Sequence, residues 1–438
     1  MKTAALHNLG CKTNAYETES MAEMLKADGY TIVPFSQKAD VYVINTCSVT
    51  AVADQKSRQM ISRARRKNPN AIVIAAGCYV QTGKEKLLAD KVADIIIGNN
   101  KKNDLIRQIH LFMENNSMIA DVDDVNEGQM EFEDLTMHMS DDHSRAFLKI
   151  QDGCNQFCSY CIIPYARGRV RCRSKQSILD EVKRLAAEGY QEVVLTGIHI
   201  TSYETEDGNL IDLVEDMAKI RGITRIRLGS LEPSAVTEEF AKRLSKVTEL
   251  CPHFHMSLQS GSDTVLMRMN RHYTAEEFYE SCQLLKEYFH DPALTTDIIC
   301  GFPGESEKEF EETLSFVERI GFYEIHVFPY SVRQGTRAER MPDQITKKEK
   351  QKRCEILRHK AEGLKQQYLE RHSGEKREIL LEDQQMVDGQ LCWMGYTREY
   401  IRCYVPVSEL ENRYSGDAVC GLLGEENEDG IYRLVISW

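Results

Sequence analysis

The chain has 438 residues, 42% hydrophobic and 28% charged, and its 55 Lys and Arg face 68 Asp and Glu for a formal net charge of −13. This length accommodates two or three domains, the composition suits a globular protein, and the acidic balance excludes a general attraction to nucleic acid, so any such site must be a local basic patch. No apolar run approaches the ~18 residues of a membrane span, and MKTAALHNLGCKTNAYETES at the N-terminus lacks a signal-peptide core, which makes a cytoplasmic location the expectation.

In chain order, residues 1–113 alternate short apolar runs with helical patterns. TAALHNLG (3–10), DVYVIN (40–45), AIVIAAG (71–77) and ADIIIG (93–98) predict strands, while 15–28 and 52–67 predict helices. Strands separated by helices make βαβ units and hence an open parallel α/β sheet. Residues 114–145 change character: ten acidic residues fall between Glu114 and Asp142, and two methionines lie close to His138. The segment reads as an acidic linker, flexible or draped on the surface, without chemistry of its own.

Residues 146–372 return to alternation, with six apolar runs: AFLKI (146–150), EVVLTG (192–197), RIRLGS (225–230), FHMSLQ (254–259), LTTDIICG (294–301) and EIHVFPY (324–330). A helical pattern follows each of the first five, and a long amphipathic helix at 347–372 follows the sixth. Six βα units are too few for a closed eightfold barrel, so an open, partial (βα)6 barrel is expected. Residues 373–438 hold short strand-like runs, REILLED, LCWMGY, YIRCYVPV and YRLVISW, with turn residues between them. They predict a small β-barrel.

The 14 cysteines of a reducing compartment read as metal ligands, catalytic thiols or buried thiols rather than a disulfide framework. DGCNQFCSYCIIPYARG (152–168) sets Cys154, Cys158 and Cys161 in a C-x3-C-x2-C pattern. It follows the first strand of the second unit, the end where barrel enzymes carry their active sites. Clustered thiolates favour zinc or iron–sulfur. A structural zinc needs a fourth ligand; Cys172 is the candidate, with no second C-x2-C pair beside it. A [4Fe–4S] cube held by three cysteines instead leaves one iron open to a chelating ligand, for which the amino and carboxylate groups of S-adenosylmethionine are suited. The motif, its position and the strand count resemble the radical S-adenosylmethionine superfamily. That resemblance implies one-electron cleavage of the sulfonium to a 5′-deoxyadenosyl radical, fed by a low-potential donor such as flavodoxin or ferredoxin.

A second trio lies in LGCKTN (Cys11), INTCSV (Cys47) and AAGCYV (Cys78), separated by 36 and 31 residues, the length of one βαβ unit. Each follows a predicted parallel strand, so all three emerge at the sheet edge where open α/β folds bind ligands. Three unrelated buried thiols are the bland reading; the repeat spacing favours a second cube with an open iron.

Two such cubes resemble the methylthiotransferase family, and the C-terminal piece resembles its TRAM domain. QDGCNQFCSYCIIPYARGRVRCRS, LTGIHI, SLQSGSD, GFPGE and HVFPYS are most similar to the branch acting on threonylcarbamoyladenosine in tRNA. The likeness is tight over 3–113 and 146–335 and loose in the linker and after 373. It implies that the cluster on Cys11, Cys47 and Cys78 carries the inserted sulfur. One S-adenosylmethionine methylates that sulfur, and a second, on the Cys154–Cys158–Cys161 cluster, supplies the radical that activates C2 of the adenine just 3′ of the anticodon. Isopentenyladenosine or a ribosomal-protein aspartate is the alternative substrate within the family. The alternative outside it is a zinc-stabilised nucleic-acid-binding protein without catalysis.

Other residues are weighed against plainer readings. Gly301 and Gly304 of GFPGE offer backbone amides to a cofactor, or simply make a tight βα turn. Gly197, Glu232 and Gln259 sit at strand ends, where they would meet the methionine or ribose groups. Arg167, Arg169, Arg171 and Arg173 alternate in ARGRVRCRSK; if extended they share one face and would hold RNA phosphates, or else pair with the acidic neighbours. Trp393, Tyr396, Tyr400 and Tyr404 interleave with Arg398 and Arg402, as in base-stacking surfaces, or form a barrel core with a charged exterior. GLLGEENEDG (421–430) departs from the basic character expected of a TRAM domain. His199, His253 and His255 are expected to serve the core.

Overall fold

Six strands, β1 (Lys2–Asn8), β2 (Tyr30–Ile32), β3 (Val41–Thr46), β4 (Ile72–Gly77), β5 (Ile95–Ile97) and β6 (Ile119–Asp121), form one all-parallel sheet in the order β2-β1-β3-β4-β5-β6. The structure, a computed structural model, describes residues 2–128, 130–135, 145–410, 412–427 and 429–436; the methionines beside His138 lie outside the described residues. Strand β3 is buried along its whole length, because helices cover both faces of the sheet; its continuous apolar run is the mark of that burial. The covering helices are α1 (Lys12–Ala27), α2 (Ala51–Lys67), α3 (Cys78–Asp90) and α4 (Leu105–Asn115). Helix α2 shows why boundaries fall where they do. Thr50 caps its first turn by accepting from the Ala53 amide, and Arg65, Arg66 and Lys67 oppose the dipole in its last turn. Asn8 pairs with Asn45 and Thr46 with Gly77, so Cys11, Cys47 and Cys78 leave the sheet at one edge.

The second unit holds six parallel strands, β7 (Arg145–Lys149), β8 (Glu192–Thr196), β9 (Arg225–Leu228), β10 (His253–Gln259), β11 (Ala293–Cys300) and β12 (Glu324–Pro329). Two three-stranded ladders, β9-β8-β7 and β10-β11-β12, are joined by bridges Ile226–Leu250 and Leu231–Met256. The result is a partial barrel with β7 and β12 at its ends. Phe254, Phe278, Leu195 and Leu228 belong to its core, all at most 2% exposed. Capping boxes at Thr274–Glu277 and Ser306–Glu309 begin two of its helices.

Lys376–Val387 (β13), Gln390–Thr397 (β14), Arg402–Pro406 (β15), Ala418–Glu426 (β16) and Tyr432–Ile436 (β17) close a five-stranded barrel in the order β13-β14-β15-β17-β16. Fully buried arginines dock it to the partial barrel. Arg225 donates to the Tyr396 and Glu378 carbonyls at 2.9 and 3.0 Å, and Arg227 to the Arg398 carbonyl at 2.9 Å. The acidic segment is less free than its composition suggests. Val125 and Leu135 are buried, Tyr16 donates its hydroxyl to the Leu135 carbonyl, and Asp134 pairs with Arg173 at 2.8 Å. One of its carboxylates, Asp134, neutralises a buried core arginine, while Asp123, Asp124, Glu127 and Glu131 remain exposed. No helix among the described residues is long and apolar enough to cross a membrane.

Candidate functional site

The loop that carries Cys154, Cys158 and Cys161 begins at Gly153, whose φ is +73° and where a Cβ would stand 1.9 Å from the Arg169 carbonyl oxygen. Only glycine fits so close an approach. The Cys154 amide then donates to Gly168 O at 3.0 Å and the Cys161 amide to Cys158 O at 3.0 Å, which folds the three thiols toward one another. Two donors point at sulfur: the Gln156 amide to Cys154 Sγ at 3.4 Å and Arg271 Nη1 to Cys158 Sγ at 3.3 Å. Burial, with repulsion from Cys158, pushes the Cys154 thiol up to about 11 and the Cys161 thiol up to about 12. Such groups ionise when a cationic centre binds them.

At the sheet edge, Cys11 caps α1, Cys47 follows β3 and Cys78 opens α3. Gly10, at φ +105°, lets the chain pass Cys47: a Cβ there would lie 2.7 Å from Cys47 Sγ. Burial raises Cys11, and it raises Cys47 to about 11; Cys78 adds to both. Asn99 Nδ2 lies 3.6 Å from Cys78 Sγ while donating to Ala166 O at 2.7 Å.

Between the trios lies a buried charge network. Arg167, with 0% exposure, donates to Glu17 Oε1 at 2.9 Å, Asp152 Oδ1 at 3.0 Å and Asn14 Oδ1 at 2.6 Å. Lys149 pairs with Glu17 at 2.8 Å and Asp152 at 2.7 Å, and Lys102 with Glu17 at 3.2 Å. Two carboxylates thus face four cations, Arg171 reaching Asp152 at 3.6 Å, and Arg167 acts electrostatically on Cys11 and Cys78. A surplus of buried positive charge beside three thiols fits an anionic thiolate cluster.

Among the described residues, the group that brings three potential ligand atoms within 4.8 Å of one another is His255, Asp297 and His326. Neither trio brings its three sulfurs that close. Cys172 bonds with Ser202 O and the Glu204 amide, both at 3.5 Å, and joins neither. All 14 cysteines are free.

Several expected contacts are corrected. Arg167, Arg171 and Arg173 do not present an RNA face: all three are buried, the first in the network above, the second donating to the Arg167 and Arg169 carbonyls, the third paired with Glu181 and Asp134. The segment is a short helix to Arg167 and then a two-residue strand, so alternation in sequence does not become one exposed face. Arg169 is exposed, over the Phe157 ring at 4.5 Å. Arg398 donates to the Thr224, Thr248 and Leu250 carbonyls, which docks the C-terminal barrel; half-buried Arg402 donates to Gln385 at 3.1 Å. Tyr400 and Tyr396 stack on each other at 4.6 Å, and Tyr400 on His253 at 5.0 Å, facing the partial barrel instead of solvent.

At the strand ends, Glu232 is taken by Arg271, at 2.7 and 2.8 Å. The same arginine donates to Cys158 Sγ, so it bridges Glu232 and that thiol. The amides of Gly301 and Gly304 are occupied by Glu305 Oε2 at 2.7 Å and Asp343 O at 2.9 Å; GFPGE is a closed turn, held by Arg353 on Glu305. Gln259 adopts φ +69° after a bulge ending β10. Gly197 lines a cavity of about 380 Å³ that also touches Cys11, Lys12, His255, His326 and Tyr400. Lys12 is hemmed in yet open to this cavity; burial and then Arg145 and Arg227 lower it to about 8.

Arg271, Asn14, Glu17, Lys102 and Asn99 were not singled out by motif reading. One signal was available: Lys149 interrupts the apolar run AFLKI, and a charge inside a buried strand demands a partner.

Residues 3–98 match a family described as "Uncharacterized protein family UPF0004" and residues 148–317 match the "Radical SAM superfamily". The chain is 40% identical to "Threonylcarbamoyladenosine tRNA methylthiotransferase MtaB" of Bacillus subtilis (strain 168), over 92% of this chain and 90% of that protein. It is 38% identical to the protein of the same name from Aquifex aeolicus (strain VF5), over 87% and 94%. It is 34% identical to "tRNA-2-methylthio-N(6)-dimethylallyladenosine synthase" of Clostridium botulinum (strain Loch Maree / Type A3), over 89% and 88%. In fold it is similar to the radical S-adenosylmethionine methyltransferase TsrM from Kitasatospora setae, with a TM-score of 0.57, 15% identity, and coverage of 75% and 73%.

Proposed function

The chain belongs to the threonylcarbamoyladenosine tRNA methylthiotransferases of the radical S-adenosylmethionine superfamily, and from that premise we propose which of its residues perform each part of the reaction. The enzyme inserts a methylthio group at C2 of the threonylcarbamoylated adenosine 3′ of the anticodon. It uses a [4Fe–4S] cluster and S-adenosylmethionine. Cys154, Cys158 and Cys161 hold that cluster, Cys11, Cys47 and Cys78 hold a second [4Fe–4S] cluster, and one turnover takes two S-adenosylmethionines, one for the methyl group and one for the radical. When bound, the two groups supply a carbon radical and a sulfur atom, chemistry that a non-acidic C–H needs and that side chains lack.

The chain's own residues then have definite tasks. Arg271 donates to Cys158 and fixes Glu232, so it tunes the first cluster and shapes its rim. Arg167 spans from the first cluster's loop to the second trio and sets their relative position. Gly197 and Gln259 line the barrel wall where the cofactor's methionine and ribose would lie. The units are 1–113 for the second cluster, 114–145 as acidic connection, 146–372 as radical core and 373–438 as a TRAM-like barrel. The reducing partner is a low-potential one-electron carrier such as flavodoxin or ferredoxin, and the compartment is the cytoplasm.

The observation that carries this reading is the cavity whose wall joins Cys11 of the second trio to Gly197, Gly229 and His255 of the partial barrel. Anaerobic turnover with tRNA carrying the threonylcarbamoyl group tests it. Cys158→Ser should abolish 5′-deoxyadenosine formation. Cys47→Ser should retain that formation and lose the methylthio product; methylthiolated tRNA from Cys47→Ser would sink the assignment of the second trio.

A further inference from the structure

The cavity wall carries a charge pattern with one open place. Register sets His255 beside Thr295 and Asp297 beside His326, and the two-residue period of the strands turns these side chains to the same side. His255 is bound on both ring nitrogens, Nδ1 to Thr295 Oγ1 at 3.0 Å and Nε2 to Asp297 Oδ2 at 3.4 Å. Its ring stacks on His326 at 5.8 Å. The other charged groups around the space have partners. Glu324 meets Lys365 at 3.7 Å, Arg227 meets Glu192 at 3.0 Å, and Arg145 meets Glu382 at 3.2 Å. Lys12 has no carboxylate within 4.0 Å among the described residues; its ammonium lies over the Phe147 and Tyr400 rings at 5.9 and 6.0 Å. An exposed, unpaired ammonium on the cavity wall beside two aromatic rings is free to take an anion.

Resting on the function proposed above, we infer that the Lys12 end of this cavity is the subsite for the threonyl tail of the modified adenosine, with Lys12 pairing its carboxylate and His326, stacked on His255, receiving its hydroxyl and urea groups. The tail is the part of this substrate that carries a carboxylate, and a prenyl tail offers none. Lys12 follows Cys11 directly, so the group that reads the tail is held beside the proposed sulfur-bearing cluster. Tail recognition and placement of the base are thereby one event.

The test compares anticodon stem-loops carrying the free acid or its methyl ester, in anaerobic turnover with cluster-loaded enzyme. Wild type should process the ester with kcat/KM about 10- to 100-fold lower, the range for a charged hydrogen bond. Lys12→Met should handle acid and ester alike, while Lys12→Arg keeps the preference and 5′-deoxyadenosine formation persists in both. Iron content is checked for each variant, and Lys12→Gln replaces Lys12→Met if the latter loads less iron. An ester processed as well as the acid by wild type overturns the subsite. A preference that survives Lys12→Met but vanishes in His326→Gln overturns the assignment to Lys12, since a cation held by His255, Asp297 and His326 would then be the anchor. Absence of methylthio product from either stem-loop with wild type would instead refute the parent reading.

Discussion

Replacing Arg167 by Met separates two readings of the same arginine. As a phosphate-binding residue it would contribute to tRNA affinity and little to folding. As the buried centre of the network it should do the reverse. Removing one partner of a buried ion pair costs about 3–5 kcal/mol. Here the carboxylates keep other partners: Glu17 retains Lys149 at 2.8 Å and Lys102 at 3.2 Å, and Asp152 retains Lys149 at 2.7 Å and Arg171 at 3.6 Å. The loss therefore belongs at the low end, about 3 kcal/mol, or a fall in Tm of about 6–12 °C. The pH dependence has a definite sign. Burial alone would raise both carboxyls, but Arg167 and the lysines outweigh it and hold Glu17 and Asp152 well below the usual carboxylate range. A depressed folded pKa gives stability that is fully present above the unfolded value near ~4 and is lost as pH falls below it. The Tm difference between wild type and Arg167→Met should thus be constant from pH 6 to 8 and shrink under acid. Thermal unfolding of anaerobic, cluster-loaded protein and the salt dependence of tRNA binding are the measurements. A Tm within about 1 °C of wild type, with a salt slope reduced by ~0.7–0.9, would refute the network and restore the phosphate role.

Arg169, exposed beside Phe157, is the arginine of that run free to meet phosphate, so Arg169→Gln should leave Tm unchanged and reduce the salt slope of tRNA binding by ~0.7–0.9. Gly10→Ala places a Cβ 2.7 Å from Cys47 Sγ and should drop bound iron from about eight to about four per chain, two cubes to one, while 5′-deoxyadenosine formation continues; eight iron in this variant would contradict the proposed ligand set. Arg271→Gln leaves Glu232 buried without its cation and removes the donor to Cys158. 5′-Deoxyadenosine formation should fall at least tenfold, with a changed electron paramagnetic resonance signal of the reduced cluster; an unaltered signal would count against the contact.

The alternation of apolar runs made the three units and both cysteine trios legible, because parallel strands buried on both faces must be apolar throughout and each trio follows such strands. The two edge strands Tyr30–Ile32 and Ile119–Asp121 escaped that reading, since three residues are too few to show a period. The arginine run was misleading for a different reason. Alternation predicts a shared face only in extended chain, and here a helix ends at Arg167 while Gly168 turns the backbone. The carboxylates that capture these arginines come from α1, from Asp152 and from the acidic segment, at separations that no local pattern reports. The same long range hid Arg271, which lies 113 residues from the cysteine it touches.

These long-range pairs also explain why the site belongs to no single unit. The partial barrel has β7 and β12 as unjoined ends, and α1 packs against β7. The start of α1 brings Cys11 and Lys12 to the cavity, and the C-terminal barrel brings Tyr400, braced by Arg227 at 4.7 Å and Arg145 at 5.3 Å. Arg225 and Arg227, which belong to β9, hold that barrel in place through its carbonyls. Loosening the dock at Arg225 would therefore withdraw Tyr400 from the ammonium of Lys12 without touching either cysteine trio. Arg225→Met should accordingly weaken the preference for the free threonyl acid over its ester while iron content stays at the wild-type value; an intact preference would mean that the C-terminal barrel does not shape the cavity.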